Sequence, residues 1–76
     1  MLDYDLSKRE SATLYEYIYQ RIRDDIVSGA IAAHEHLPSK RALAEHLGTS
    51  VITVENAYSQ LMAEGYIFSK PRRVFF

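Results

Sequence analysis

The stretch GTSVITVENAY, residues 48–58, combines hydrogen-bonding and apolar side chains that suit contact with the edges of DNA base pairs. Its spacing predicts a helix with Val54 and Tyr58 buried, so at about 100° per residue Ile52 and Asn56 lie on the opposite side. An exposed isoleucine can contact the thymine methyl group, and an asparagine can form two hydrogen bonds with adenine. If this helix binds DNA, the two side chains would favour an A/T-rich site. The alternative is that Ile52 is a singly exposed apolar residue without a role.

Hydroxyl side chains at two predicted helix starts offer further contacts. Ser39 and Ser50 are good N-caps, and a helix N-terminus also presents free N–H groups to a phosphate. Thr53 lies in the first turn of the third helix, where it can donate to the DNA backbone or to a base. Val51 is expected at the flank of that helix, still in reach of the core.

Basic residues are concentrated in the second half of the chain. Residues 37–76 hold five basic and three acidic side chains, a balance of +2, although the whole chain carries −1. Lys40 and Arg41 begin the second helix, and phosphate contacts from such positions fix the register on DNA. Lys70, Arg72 and Arg73 form a cluster that suits phosphates or the minor groove. The alternative for Arg41 is a surface salt bridge to the glutamate four residues later.

Composition excludes several other classes of protein. A chain of 76 residues without cysteine is one domain with neither disulfides nor thiolate metal ligands. No apolar run is long enough to cross a membrane, and the polar start MLDYDLSKRE is not a signal peptide, so we expect a cytoplasmic protein. His34, His36 and His46 lack partners at metal-ligand spacing, and no catalytic arrangement occurs, so we expect neither a metal site nor an enzyme.

The predicted elements position these groups in a small domain. Residues 1–10 show no periodicity and are interpreted as a tail or arm, so the domain covers residues 11–76. Thr13 and Glu16 form a capping box, and Gly29 ends a first helix of about 15 residues. The apolar stripe of this helix recurs at steps of three and four and comprises Tyr15, Ile18, Tyr19, Ile22 and Ile26.

The rest of the chain predicts a short connector, two close helices and a hairpin. A short strand is expected near Ile31, and the second helix runs from 40 to about 47. The third, capped by Thr49 or Ser50, runs to about 64 and buries Val54, Ala57, Tyr58 and Leu61. Strands at 66–68 and 74–76 flank a basic turn at 69–73. The predicted fold is α+β and mostly helical: a winged helix-turn-helix with three helices and a two-stranded C-terminal β-hairpin.

Residues 13–76 resemble the N-terminal winged helix of GntR-type bacterial transcription regulators, and the matching motif lies in residues 37–67. The segment ENAYSQLMAEGYIFSKPRR is similar to the MocR-like branch, in which this domain precedes an aminotransferase-like domain that binds pyridoxal phosphate. Two positions depart from the family pattern: Val51 replaces a frequent arginine, and Val74 lies near an expected glycine. The matching residues are Leu37, Pro38, Ser39, Arg41, Leu43, Ala44, Ser50, Thr53, Val54, Glu64, Gly65 and Tyr66.

This resemblance implies sequence-specific binding of double-stranded DNA, with the recognition helix, about 50–64, in the major groove. The wing, residues 66–76, would lie on the flanking backbone or minor groove. The family usually binds as a homodimer through a C-terminal domain, so the chain would be an excised domain or a short form, and pyridoxal phosphate would bind only that absent part. The alternative function is a protein–protein interaction module that does not bind DNA. The expected DNA-binding residues are Ser39, Lys40, Arg41, Ser50, Val51, Ile52, Thr53, Asn56, Lys70, Arg72 and Arg73.

Overall fold

Three α-helices dominate the computed structural model, which describes residues 2–70 and 73–75, with side chains from residue 2 to residue 68. The prediction of a small, mostly helical domain with three helices is confirmed. No helix in this described part has the length and apolar character needed to cross a bilayer. In chain order the elements are a short 3-10 helix Leu6–Lys8, α1 Leu14–Ser28, β1 His36–Leu37, α2 Lys40–Leu47, α3 Val51–Ala63, β2 Phe68–Lys70 and β3 Arg73–Phe75.

Helix α1 has the bounds that its capping signals predict. The Thr13 hydroxyl accepts a hydrogen bond from the Glu16 backbone N–H at 3.3 Å, and the Glu16 carboxylate accepts one from the Thr13 N–H at 3.3 Å. Gly29 ends the helix at φ 85°, a left-handed conformation that glycine adopts without steric strain. The expected stripe is buried except for Tyr15, which is half-buried.

Helices α2 and α3 are joined by a short turn at Gly48. The Ser39 hydroxyl caps α2 by accepting from the Ala42 N–H at 3.1 Å. Ser50, one of the two expected candidates, caps α3 by accepting from the Thr53 N–H at 3.2 Å. Helix α2 has the predicted bounds, and α3 ends one residue earlier than expected. The chain therefore has the two close helices of a helix-turn-helix.

Helix α3 packs against both other helices and supplies the centre of the core. Its buried stripe, Val54, Ala57, Tyr58 and Leu61, is fully inaccessible to solvent, as predicted. The Tyr58 hydroxyl donates to the backbone carbonyl of Pro38 at 2.7 Å, and burial raises the pKa of that hydroxyl. This hydrogen bond ties α3 to the segment that leads into α2.

Replacing Tyr58 with phenylalanine removes this link and changes little else. We expect a loss of about 1–3 kcal/mol in the free energy of unfolding, because the Pro38 carbonyl is left without its partner. Urea denaturation of the two proteins measures the difference. Tyr66→Phe, at a half-buried tyrosine, is the comparison; an equal loss in both variants would show that the Tyr58 hydrogen bond has no special weight.

The three strands form a small antiparallel sheet with the order β1-β3-β2. Leu37 pairs with Val74, and Lys70 pairs with Arg73. We expected strands at 66–68 and 74–76 and another near Ile31; β2 instead begins at Phe68, β3 at Arg73, and the early strand lies at His36–Leu37. Ile31 and Ile67 are buried in the core without belonging to a strand. Residues 71 and 72, within the predicted turn, and residue 76 lie outside the described residues.

The N-terminal segment, for which the sequence indicated a tail or arm, makes contacts with the helices. Leu2, Tyr4 and Leu6 pack against the core. The Tyr4 hydroxyl donates to Asp25 Oδ2 at 2.7 Å. Asp3 hydrogen-bonds the His46 ring, and this contact lowers the pKa of the Asp3 carboxyl. Part of the N-terminal segment is therefore held on α1 and α2 by side-chain contacts, although its sequence shows no helical or strand periodicity.

Candidate nucleic-acid interface

The solvent side of α3 carries polar and apolar side chains that point away from the core. Ile52 is 67% exposed, and Glu55, Asn56 and Ser59 are exposed as well, whereas Val54 has no accessible surface. We call Ile52, Glu55, Asn56 and Ser59 the reading face. The predicted exposure of Ile52 and Asn56 is thus present in the structure.

Three candidates at the start of α3 have contacts within the domain. Val51 is half-buried and packs against the core, in keeping with its expected position at the flank. The hydroxyls of Ser50 and Thr53 lie 2.8 Å apart and share a hydrogen bond. Because one hydroxyl must donate to the other, only one of the two protons is available to an outside acceptor. Ser50, Val51 and Thr53 therefore stabilise the start of α3. They can offer DNA fewer hydrogen bonds and apolar contacts than the sequence suggests.

At the start of α2, the two basic candidates differ in their surroundings. Arg41 is exposed and forms no ion pair with the side chains described from residue 2 to residue 68. The alternative for Arg41, a surface salt bridge to Glu45, is therefore not found among these described side chains. Lys40 instead lies with Nζ 3.4 Å from Oε2 of Glu55. Arg41 remains available to a phosphate, while Lys40 is shared with an acidic residue of α3.

The ion pair between Lys40 and Glu55 shows that the start of α2 lies next to the solvent side of α3. Glu55 is one residue before Asn56 and three after Ile52, so the basic start of α2 lies beside the reading face. Sequence reasoning missed Glu55 as a member of this surface. The signal was present, because a residue three positions after an exposed one in a helix lies on nearly the same side.

The C-terminal basic residues are only partly described. The backbones of Lys70 and Arg73 are paired across β2 and β3. Their side chains, and all of Arg72, lie outside the described part, so the structure does not test whether this cluster faces the same way as Ile52. Their role stays a prediction.

Comparison with known proteins supports a regulatory domain. Residues 14–76 match the family model of the bacterial regulatory proteins of the gntR family. The uncharacterized HTH-type transcriptional regulator YdeL of Bacillus subtilis is 45% identical over 71 residues, which make up 93% of this chain and 15% of YdeL. The probable rhizopine catabolism regulatory protein MocR of Rhizobium meliloti is 35% identical over 86% of this chain and 13% of MocR. The chain thus spans a small part of the length of these relatives.

Solved structures show the same fold. YtrA from Sulfolobus acidocaldarius, a GntR-family transcription factor, superimposes with a TM-score of 0.87 at 32% identity, covering 93% of this chain and 76% of that one. The DNA-binding domain of AraR, solved in complex with operator ORX1, has a TM-score of 0.78 at 21% identity, covering 97% of this chain and 90% of that one. Because AraR is only 21% identical, its similarity to this chain is evidence for a shared fold alone.

Proposed function

This chain belongs to the GntR family of bacterial regulatory proteins, and we propose that it binds double-stranded DNA sequence-specifically as the reading head of a transcription regulator. Within this family the domain is a regulatory and not a catalytic unit. The observation that supports the proposal is the position of the basic start of α2 beside the reading face, seen in the 3.4 Å distance from Lys40 Nζ to Glu55 Oε2.

In the proposed complex α3 enters the major groove. Ile52 contacts a thymine methyl group, and Asn56 forms two hydrogen bonds with an adenine, so an A/T-rich half-site is expected. Thr53 and Val51 lie in the first helical turn, where recognition helices contact base edges. The exposure of Ile52, 67%, supports this arrangement because the contact needs no rearrangement of the core.

Helix α2 is proposed to cross the sugar–phosphate backbone. Arg41 meets a phosphate, and the helix starts capped by Ser39 and Ser50 present N–H groups to others. The wing, residues 66–76, lies on the flanking backbone or in the minor groove. The solved complex of the AraR DNA-binding domain with its operator supports this choice at the level of the fold.

We also propose a homodimer that binds paired half-sites. Its dimer contacts would lie in other parts of a longer protein, since this chain covers 15% of YdeL and 13% of MocR. If that protein is MocR-like, pyridoxal phosphate belongs to another domain.

A protein-interaction module is the alternative function. An apolar residue that is 67% exposed and a net charge of −1 suit a protein partner as well. Retention on random-sequence duplex DNA that falls steeply with salt supports the DNA-binding proposal, because bound phosphates displace condensed counterions. Retention of a protein but not of DNA, with little dependence on salt, would support the alternative. Selection of bound sequences from a random duplex library then gives the half-site.

Replacing Ile52 with serine is expected to relax discrimination at one base pair by roughly fourfold, the value of about one buried methyl group. Binding profiles over all single-base variants measure this change. Val27→Ser is the matched control, since Val27 is a β-branched residue that is 73% exposed on α1. Identical profiles for the wild type and Ile52→Ser would end the methyl-contact hypothesis.

A further inference from the structure

Glu55 is an acidic side chain on the surface that we assign to DNA. Its side chain is 51% exposed, and it lies between Ile52 and Asn56 along the reading face. Phosphates repel a carboxylate, so an acidic residue here lowers affinity for every duplex unless it gains a specific contact. The Glu55 carboxylate therefore needs a hydrogen-bond donor in the groove that it can contact.

Lys40 reduces the unfavourable charge of this carboxylate. The distance from Lys40 Nζ to Glu55 Oε2 is 3.4 Å, and both side chains are more than one third exposed. Surface pairs of this kind contribute little to stability. The pair places a cation next to the carboxylate and so offsets its negative charge beside DNA.

The major groove presents few groups that a carboxylate can meet. An ionised carboxylate only accepts hydrogen bonds, and the donors on the base edges are the N4 amino group of cytosine and the N6 amino group of adenine. Adenine also places its N7 acceptor next to N6, and guanine and thymine present acceptors. Cytosine is therefore the base from which a carboxylate best accepts a hydrogen bond in the major groove.

Resting on the DNA-binding function proposed above, we propose that Glu55 determines specificity by accepting a hydrogen bond from cytosine N4. Lys40 is a positioning residue that orients the carboxylate of Glu55. The half-site then contains a cytosine position in addition to the thymine and adenine read by Ile52 and Asn56.

Glu55→Gln tests this assignment in the 76-residue chain with a random duplex library at fixed salt. Glutamine forms two hydrogen bonds with adenine, so one position is expected to change from cytosine to adenine. The preference for cytosine there falls on the order of tenfold. The matched control is Glu10→Gln, which removes the same charge from an exposed residue before α1 and is expected to change no position.

Variants of Lys40 separate positioning from a purely structural role. Lys40→Met is expected to weaken the preference at the cytosine position without changing the preferred base. Lys40→Arg, which keeps the charge, is expected to restore it. An equal weakening at all positions in Lys40→Met would overturn the positioning role.

Two results would overturn the role of Glu55. One is a uniform rise in affinity with unchanged preferences, which would show that the carboxylate only repels phosphate. The other is an unchanged profile in Glu55→Gln. If Ile52→Ser relaxes discrimination while Glu55→Gln changes nothing, only this inference fails. If the wild-type chain prefers no sequence and its retention on DNA does not depend on salt, the proposed function fails together with it.

Discussion

Leu61→Ala is expected to destabilise the domain by about 2–5 kcal/mol, because the shortened side chain leaves a cavity that the core fills only in part. Leu61 has no accessible surface and lies on the helix that contacts both α1 and α2. A domain of this size has a total stability of only about 4–11 kcal/mol. DNA binding should fall as the folded fraction falls, and urea denaturation with a binding titration at the same temperature measures both.

Ser59→Ala on the reading face of the same helix is the control for stability. Ser59 is exposed, so its replacement is expected to change the free energy of unfolding by no more than about 0.5 kcal/mol. A loss for Leu61→Ala as small as that of Ser59→Ala would contradict the assignment of the buried side of α3. The orientation of the reading face depends on that assignment, because the two sides of one helix are fixed together.

The helices could be predicted from the sequence because their signals are local. Thr13 and Glu16 of the capping box lie within one helical turn. Gly29 and Gly48 end their helices in a left-handed conformation that glycine adopts without strain. The exposure of Ile52 and Asn56 follows from the same local geometry once Val54 and Tyr58 are assigned to the core. These features need no knowledge of the rest of the chain.

Contacts between distant residues could not be predicted in this way. Strand β1 has two residues and exists through pairing with β3, where Leu37 meets Val74. The hydrogen bond of Tyr4 with Asp25 and the ion pair of Lys40 with Glu55 likewise join separate elements. Periodicity carries no information about such pairs, so the sequence missed the packing of the N-terminal segment and the charge partner of Lys40.

The basic residues of the wing provide the largest expected effect on DNA binding. Replacing Lys70, Arg72 and Arg73 with glutamine should lower affinity for every sequence. If each basic residue neutralises one phosphate, the slope of log affinity against log salt becomes shallower by about 2.7, because each phosphate contact contributes about 0.9. Sequence preference should stay the same, since backbone contacts carry no base information. Titrations of one duplex at several salt concentrations measure the slope.

A control with the same change of charge separates contact from long-range attraction. Replacing Lys8, Arg9 and Arg21 with glutamine removes three exposed charges from the first half of the chain. Removing charges that lie outside the contact should lower the association rate at low salt and change the salt slope much less than the wing variant does, because such charges neutralise no phosphate. An unchanged slope in the wing variant would remove the wing from the interface. The proposal would then depend on α2 and α3 alone, in which the lysine and arginine residues are Lys40 and Arg41. Glu55 offsets the charge of Lys40.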